Sequence, residues 1–286
     1  MNKYKNLLTS TTIIPLWAKA VESQSKSPIL MDRHACQILQ SLGYPLDYYD
    51  IKKQNPSQVG CCLRARWIDD QTLSFIHHHK ACQVIQLGAG VDDRFRRIGT
   101  PDEVKFWYDL DLEEVMNMRK QTIPQAERNE YLSMNLFDTT WMKIMQKNQL
   151  PTLVIIEGVM MFLDASSLTD LFFNMANILG ECVVLFDSVP ALAVGKAKYH
   201  DSVKKYNSKV EYTWGFKKEA DLKKLSPFIK ETQIVRMSDL PQAHKFRLAL
   251  RLMYKIPYFY RNANQLLIRI NLRKDTYKDI DDSPIV

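Results

Sequence analysis

A short apolar run that ends in a glycine-rich turn is the feature that most limits the folds open to this chain. Cys82–Leu87 forms the run, and Gly88, Ala89 and Gly90 follow it directly. Glycine lets a backbone approach a ligand closely and adopt angles that other residues avoid. In open α/β sheets, ligands bind at the carboxyl ends of the strands. The turn therefore predicts an α/β fold with a ligand site at these three residues.

Strand candidates alternate with helix candidates through most of the chain. Apolar runs typical of strands cover 82–87, 104–110, 131–134, 153–156, 182–186 and 266–272, and helical patterns cover 63–78, 112–122, 141–147 and 166–179. Such alternation indicates a mostly parallel sheet with helices on both faces. We expect Ser166 or Ser167 to cap the last of these helices, because a serine hydroxyl can accept a hydrogen bond from the first turn.

The same pattern predicts a single domain over residues 1–286, a length that is sufficient for one large core. We expect its parts to be a helical extension at 1–80, a cofactor-binding core at 81–189, a helical cap at 190–262, a final strand at 263–274 and a loose polar tail at 275–286.

Charge is distributed unevenly along the chain. Residues 190–274 hold 19 Lys or Arg and 6 Asp or Glu, whereas the rest of the chain holds 20 and 26. A basic region of this kind indicates an anionic partner or substrate, and a solvated basic helix face explains it equally well. The first interpretation predicts an anionic partner or substrate.

The five cysteines and the absence of long apolar runs indicate the compartment. No cysteine pair has the spacing of zinc ligands, so free thiols in the cytoplasm are the simplest interpretation. No run approaches the roughly 20 apolar residues that a membrane helix needs, and we expect no membrane partner. We also expect no metal, because the adjacent His77, His78 and His79 would point in different directions on a helix.

Two carboxylates after the glycine turn help to distinguish two classes of cofactor. A dinucleotide site needs a third glycine in G-x-G-x-x-G, and Asp93 stands at that position here. Asp92 and Asp93 would repel a pyrophosphate, but they are compatible with S-adenosylmethionine, whose amino and sulfonium groups are cationic. An NAD(P)-dependent oxidoreductase remains a less favoured alternative.

Acidic residues also end the second and fourth predicted strands. Asp111, with Leu112 after it, lies 23 residues beyond Gly88, near the spacing at which an acidic residue accepts hydrogen bonds from ribose hydroxyls. A structural alternative for Asp111 is the N-cap of the following helix. Glu157 and Gly158 follow the fourth strand, where a carboxylate points into the cleft at the edge of the sheet.

These features occur within longer runs that resemble the leucine carboxyl methyltransferases and the related polyketide-synthesis O-methyltransferases. The runs that carry the resemblance are WAKAVES at 17–23, RARWIDD at 64–70, LGAGVDDRFRR at 87–97, DLDLEEV at 109–115 and EGVMMFL at 157–163. They occur in order at suitable spacing and span most of residues 11–190. Beyond residue 190 the resemblance is thin.

The resemblance implies a class I, Rossmann-like methyltransferase fold with S-adenosylmethionine as cofactor. Arg64 would pair with the methionine carboxylate of the cofactor, and Arg66 would take that role if the register differs. Gly88 would lie against the amino-acid part of the cofactor, and Asp111 would hold its ribose. Glu157 would lie near the cofactor's amino group and the substrate entrance.

One position departs from the family pattern. Asn135-Leu136 stands where the family usually has Asp-Leu beside adenine. The Asn135 amide can still accept a hydrogen bond from the adenine amino group, but it carries no charge. Together with the divergent region after 190, this departure motivates an alternative, namely a catalytically inactive protein that binds S-adenosylmethionine and has a regulatory role.

The resemblance also implies the reaction. We expect methyl transfer to the oxygen of a carboxylate or hydroxyl on a small molecule, or on a protein C-terminus. The thin match after 190 favours the small molecule, because that region would build a pocket for a protein C-terminus. A carboxylate acceptor needs no general base, and none is assigned. Nucleic acid is not expected as a partner, since Glu157 begins the segment in which the amino-methylating enzymes carry Asn or Asp followed by two prolines.

Overall fold

The computed structural model describes residues 3–50, 55–197, 211–216 and 219–274. In these residues one sheet contains seven strands: β1 Cys82–Leu87, β2 Val104–Asp111, β3 Asn129–Ser133, β4 Thr152–Ile156, β5 Cys182–Ser188, β6 Ile229–Arg236 and β7 Leu266–Leu272. Their spatial order is β3-β2-β1-β4-β5-β7-β6. The first five strands in that order are parallel, and β7 is antiparallel to both β5 and β6. The predicted mostly parallel sheet is confirmed.

Helices cover both faces of the sheet, because side chains alternate along buried strands. Val84 of β1 packs in one apolar cluster and Ile85 in another. The first cluster includes residues of α1 Lys3–Glu22, α2 Ala35–Ser41 and α3 Asn55–His77. The second includes residues of α6 Thr140–Asn148 and α7 Ala165–Ile178. Two further helices lie between strands, α4 Arg94–Arg97 and α5 Glu113–Thr122.

Two local predictions need correction. Helix α7 is capped by Asp164, whose carboxylate accepts a hydrogen bond from the Ser167 backbone N–H at 2.8 Å, so the prediction of Ser166 or Ser167 was wrong. A carboxylate just before the helix caps it well because the free N–H groups of the first turn attract negative charge. Helix α3 begins at Asn55 rather than near residue 63, with Pro56 in its first turn, where a missing N–H is harmless.

The region predicted as a helical cap, 190–262, also contributes β6 to the sheet. Its other described elements include the helices α8 Glu219–Lys223, α9 Leu248–Tyr254 and α10 Pro257–Asn262. Strand β6 pairs on one side only, with β7, and keeps several polar residues exposed, so its sequence lacks the continuous apolar character of the central strands. The predicted tail at 275–286 lies outside the described residues. None of the described helices combines the length and the apolar character needed to cross a bilayer.

Candidate active site

A cavity of about 710 Å³ lies at the carboxyl ends of the central strands. Its wall contains every residue predicted for the site, namely Arg64, Gly88, Ala89, Gly90, Asp92, Asp111, Leu112, Asn135, Leu136, Glu157 and Gly158. These residues, which are far apart in the sequence, line one cavity because the carboxyl ends of the parallel strands lie at one edge of the sheet. Arg66 is not in the wall; it is exposed and pairs with Asp70 at 2.9 Å, so Arg64 is the arginine at the cavity.

The glycine turn is fixed to the end of β2 by backbone hydrogen bonds. The N–H groups of Gly88 and Ala89 both donate to the Leu110 carbonyl, at 2.8 and 3.0 Å. Gly88 has a φ of +70°, and a Cβ there would collide with Val159 Cγ2. A side chain at this position would therefore be strained and would lack space.

Asp111 supports the same turn from the side. Its carboxylate accepts one hydrogen bond from the Gly90 backbone N–H and another from that of Leu112, both at 2.8 Å. Leu112, not Asp111, is the N-cap of α5, so the N-cap alternative was wrong. Burial raises the pKa of Asp111 above its ordinary value, against the lowering effect of these two hydrogen bonds. A carboxylate offers about four lone-pair positions, so acceptor capacity remains for a ligand.

Glu157 and Arg64 line the cavity and belong to a largely buried ion cluster. Arg64 Nε donates to Glu157 at 2.9 Å, and Arg94 pairs with the other carboxylate oxygen of Glu157. Burial would raise the pKa of Glu157, but Arg94, Arg64 and Lys19 together lower it to about 2. Glu157 is therefore ionised and a weak base at neutral pH.

Asp187 is a buried residue of this cluster that sequence reasoning missed. Its carboxylate accepts hydrogen bonds from Arg64 Nη1 at 3.0 Å, from the Gly158 backbone N–H at 2.6 Å and from Gln265 Nε2 at 2.7 Å. It thus holds both Arg64 and the turn at Gly158. An acidic residue near the end of an apolar strand was the available signal, as it was for Asp111 and Glu157.

Asp92 lies in the cavity wall but meets protein cations. Lys19 and Arg97 pair with its Oδ1, and Arg94 lies 3.4 Å from its Oδ2. Burial opposes ionisation, yet these three cations keep the pKa of Asp92 well below its ordinary value. Lys19, which lines the cavity from α1, was named at the sequence level only within the WAKAVES run. Contact between Asp92 and a cofactor stays a prediction.

The ion pairs of Arg64, Arg94, Arg97 and Lys19 extend to further carboxylates. Within the described residues, the connected cluster contains these four cations and the five carboxylates of Asp32, Asp69, Asp92, Glu157 and Asp187. It carries one negative charge in excess when all members are ionised. The cavity wall itself contains the cations Lys19 and Arg64 and the carboxylates Asp92, Asp111, Glu157 and Glu211, so it is suited to a ligand with net positive charge.

The rest of the cavity wall is largely apolar, and its apolar and aromatic members include Ile14, Leu16, Met161, Phe162, Leu163, Val189 and Tyr212. Polar residues that also line it include Thr12, Ser57, Gln86, Glu211, Thr213 and Gln265. The Phe162 and Tyr212 rings lie 5.7 Å apart, and the Thr213 backbone N–H donates to the Met161 carbonyl at 2.8 Å, which fixes residues 211–216 against the core. Sequence reasoning placed an acceptor pocket in the region after 190 without naming these residues.

An open sheet with a glycine turn, three strand-end carboxylates and a cavity suited to a cation defines a class I methyltransferase. Residues 12–176 match the family of leucine carboxyl methyltransferases, and the chain belongs to that family. It is 24% identical over 231 residues to the tetracenomycin polyketide synthesis O-methyltransferase TcmP of Streptomyces glaucescens, covering 81% of this chain and 83% of that protein. It is 26% identical over 191 residues to the S-adenosyl-L-methionine-dependent methyltransferase dpfgK of Gibberella zeae, and the match covers 62% of this chain and 64% of that protein.

Solved structures share the fold. A putative methyltransferase from Thermobifida fusca superposes with a TM-score of 0.53 at 9% identity, covering 90% of this chain and 94% of that one. A protein of the duf574 family from Streptomyces avermitilis gives a TM-score of 0.53 at 11% identity, covering 84% and 97%. Membership of the family confirms two predictions, that the chain is a methyltransferase and that its cofactor is S-adenosylmethionine.

Proposed function

We propose that this enzyme transfers the methyl group to an oxygen of a small, largely apolar acceptor, with a carboxylate preferred over a hydroxyl. The observation that carries the proposal is the composition of the cavity. The cavity combines the glycine turn and the strand-end carboxylates with apolar and aromatic side chains such as Met161, Phe162 and Tyr212. An apolar wall with few polar groups is typical of a small-molecule site.

The residues present fit the cofactor. Gly88 and Gly90 bring bare backbone to the cavity, and the remaining lone pairs of Asp111 suit ribose hydroxyls. Leu112 and Phe137 each keep over a third of their surface exposed in the cavity wall, which offers an apolar surface for adenine. The excess negative charge of the ion cluster suits the net positive charge of S-adenosylmethionine. A pyrophosphate would meet repulsion from the same charges.

We assign the carboxylate of the cofactor to Arg64, as the family resemblance implies. Arg64 is 8% exposed, lines the cavity and lies between Glu157 and Asp187, so its guanidinium is held in one orientation. A fixed guanidinium can bind a carboxylate with two parallel hydrogen bonds. Glu157, ionised and next to Arg64, would then face the cofactor's amino group.

The proposed reaction needs no general acid or general base from the protein. When bound, S-adenosylmethionine supplies an already activated methyl group. The chain's own residues orient the two reactants and exclude water, and both effects lower the barrier of a displacement reaction. Glu157 and Asp92 are ionised but weakly basic, because neighbouring cations lower the pKa of both. Weak bases favour an acceptor that is already ionised, which is the reason for preferring a carboxylate.

We also propose a cytoplasmic location. All five cysteines are free thiols: Cys36, Cys61, Cys62, Cys82 and Cys182. Free thiols, including the adjacent pair at 61 and 62, are typical of proteins kept in a reducing compartment.

The acceptor class is tested by turnover. The purified chain is incubated with S-adenosylmethionine and with panels of aromatic carboxylic acids, phenols, amines and a peptide ending in leucine, and products are separated by mass spectrometry. We expect methylated small acids, whose esters are cleaved by mild alkali, whereas methyl ethers of phenols survive it. Methylation of the peptide alone, or of amines, would contradict the proposal. Cofactor binding without S-adenosylhomocysteine formation would support the inactive alternative.

A further inference from the structure

Helix α9 and the residues that flank it carry apolar side chains on two opposite sides. On one side Phe246, Leu250 and Tyr254 recur every fourth residue and pack against the core. On the other side apolar residues face solvent: Leu248 is 64% exposed, and Leu252 and Ile256 are each 50% exposed. The inward side explains how α9 is held to the protein. Packing on the core does not explain why the residues of the outward side are apolar.

The outward stripe continues onto α10 and is bordered by positive charge. Tyr258 of α10 is 58% exposed. The exposed cations Arg247, Arg251 and Lys255 alternate with the outward apolar residues along α9 and just beyond it, and Arg261 lies on α10. We call the eight residues Arg247, Leu248, Arg251, Leu252, Lys255, Ile256, Tyr258 and Arg261 the α9–α10 surface.

Negative charge is missing from this part of the chain. Residues 244–274 contain 8 Lys or Arg and no Asp or Glu. Among the described residues, no carboxylate pairs with the four cations of the α9–α10 surface. Within the described part of the chain, the surface thus combines exposed apolar side chains with cations that form no ion pair, and the nearby Asp239, which lines one small cavity with Arg251 and Lys255, is a single carboxylate beside them. The occupant of the surface should therefore be apolar and anionic.

We propose that the α9–α10 surface binds the surface of an anionic lipid bilayer. Leucine, isoleucine and tyrosine side chains would enter the boundary between headgroups and acyl chains, while the arginines and Lys255 contact lipid phosphates. A second copy of this chain fits less well, because docking the same surface on itself would bring two sets of cations together. Peripheral binding needs no spanning helix, so it agrees with the lack of a membrane-crossing helix among the described residues. It replaces the expectation that the protein has no membrane partner.

The surface begins next to the cavity. The Arg247 backbone N–H donates to Asn55 Oδ1 at 3.1 Å, and the next residues of α3, Pro56 and Ser57, line the cavity. A bilayer bound to the α9–α10 surface would therefore lie beside one wall of the site. The proposal does not depend on which acceptor is methylated.

The experiment is flotation of the full chain with vesicles. We expect binding to vesicles of phosphatidylcholine mixed with phosphatidylglycerol, and little binding to phosphatidylcholine alone. The variant R251E/K255E should weaken binding at least tenfold, since each basic residue near an anionic surface contributes about fivefold. The variant L252S/I256S should also weaken it at least tenfold. Raising the salt concentration from about 0.15 M to about 1 M should release the protein, because the Debye length falls from about 8 Å to about 3 Å and the attraction between the cations and the lipid phosphates is screened.

Matched controls lie on the opposite face of the sheet. K143E/K147E reverses two exposed lysines at the same spacing on α6, and F173S removes an apolar residue that is 52% exposed on α7. Both should bind vesicles like the unaltered chain, and circular dichroism should show that all variants are folded. Three results would overturn the proposal: absent vesicle binding, equal binding to neutral vesicles, or equal loss in the control variants. So would a dimer in sedimentation that L252S/I256S dissociates while vesicle binding persists.

Discussion

The carboxylate of Asp111 accepts a hydrogen bond from the backbone N–H of Gly90 at 2.8 Å, which ties the end of the second strand to the turn after the first. The proposed ribose ligand is thus also a support for the backbone that would face the cofactor. One residue therefore shapes the turn and offers its remaining lone pairs to the cavity.

Asp111→Asn should weaken binding of S-adenosylmethionine about tenfold or more, as expected for loss of a charge-assisted hydrogen bond. The asparagine has one carbonyl oxygen, so it can still accept from Gly90 but then loses the hydrogen bond from Leu112. Because the Leu112 N–H is exposed and water can replace that bond, the melting temperature should fall only slightly. Isothermal titration calorimetry measures the affinity, and Asp102→Asn, at an exposed carboxylate, is the control. Unchanged affinity in the Asp111 variant would remove ribose binding from this position.

Gly88→Ala should destabilise the protein by about 3 kcal/mol, because a positive φ and a steric conflict with Val159 act together. Gly99→Ala is the control: its φ is +90°, but nothing lies within 4 Å of the added carbon, so about 1 kcal/mol is expected. Adding Val159→Ala to Gly88→Ala should restore only the stability that was lost to the steric conflict, and not the part that was lost to the positive φ. Chemical denaturation of the four variants, including Val159→Ala alone, completes the cycle. Strict additivity would show that Val159 is not the obstacle.

Arg64→Gln should destabilise the fold by about 3 kcal/mol or more, because it leaves Glu157 and Asp187 as buried carboxylates with fewer counter-charges. Asp187→Asn should also destabilise it. In the double variant the losses should be less than additive, since each change removes the partner that the other lacks. Chemical denaturation of the single and double variants measures the coupling free energy between positions 64 and 187. Isothermal titration calorimetry should show weaker cofactor binding in Arg64→Gln. Additive losses would mean that the pair does not couple.

Glu157 should make stability depend on pH in acid. Its pKa falls from an ordinary 4.5 to about 2 in the folded protein, so folding favours the carboxylate form. The stabilisation is complete above about pH 4.5 and is lost as pH falls towards 2. The shift corresponds to about 3 kcal/mol. The stability gap between the unaltered chain and Glu157→Gln should narrow by about 2 kcal/mol from about pH 7 to about pH 3. A constant gap would contradict the lowered pKa.

Much of the central sheet could be predicted because its signals are local. The run Cys82–Leu87 and the strand Leu266–Leu272 were predicted with their observed bounds, since buried strands are mostly apolar. Strand β6 was missed because an edge strand keeps polar residues in solvent, and Lys230 and Glu231 hide its pattern. The strand at the other edge, β3, was predicted because Tyr131 and Leu132 give it a short apolar signal.

In the candidate site too, some residues could be placed from the sequence and their ion pairs could not. Glycines and strand-end carboxylates such as Gly88 and Asp111 could be placed from sequence, because the strand order brings them to one edge. The ion pairs could not, since Lys19 and Asp92 are separated by 73 positions and meet only after the first helix packs on the core. Asp92 could therefore be predicted as a residue of the cavity wall, but not as a partner of three cations.

Among the described strands, β7 is the last along the chain yet lies inside the sheet, between β5 and β6. During synthesis, β6 can have no neighbour in the sheet until residues 266–272 have left the ribosome, and β5 keeps an unpaired edge until then. Unpaired edges invite association with other chains. Completion of the sheet is thus delayed until late in translation, and a premature stop before Leu266 would release a chain that is prone to aggregate.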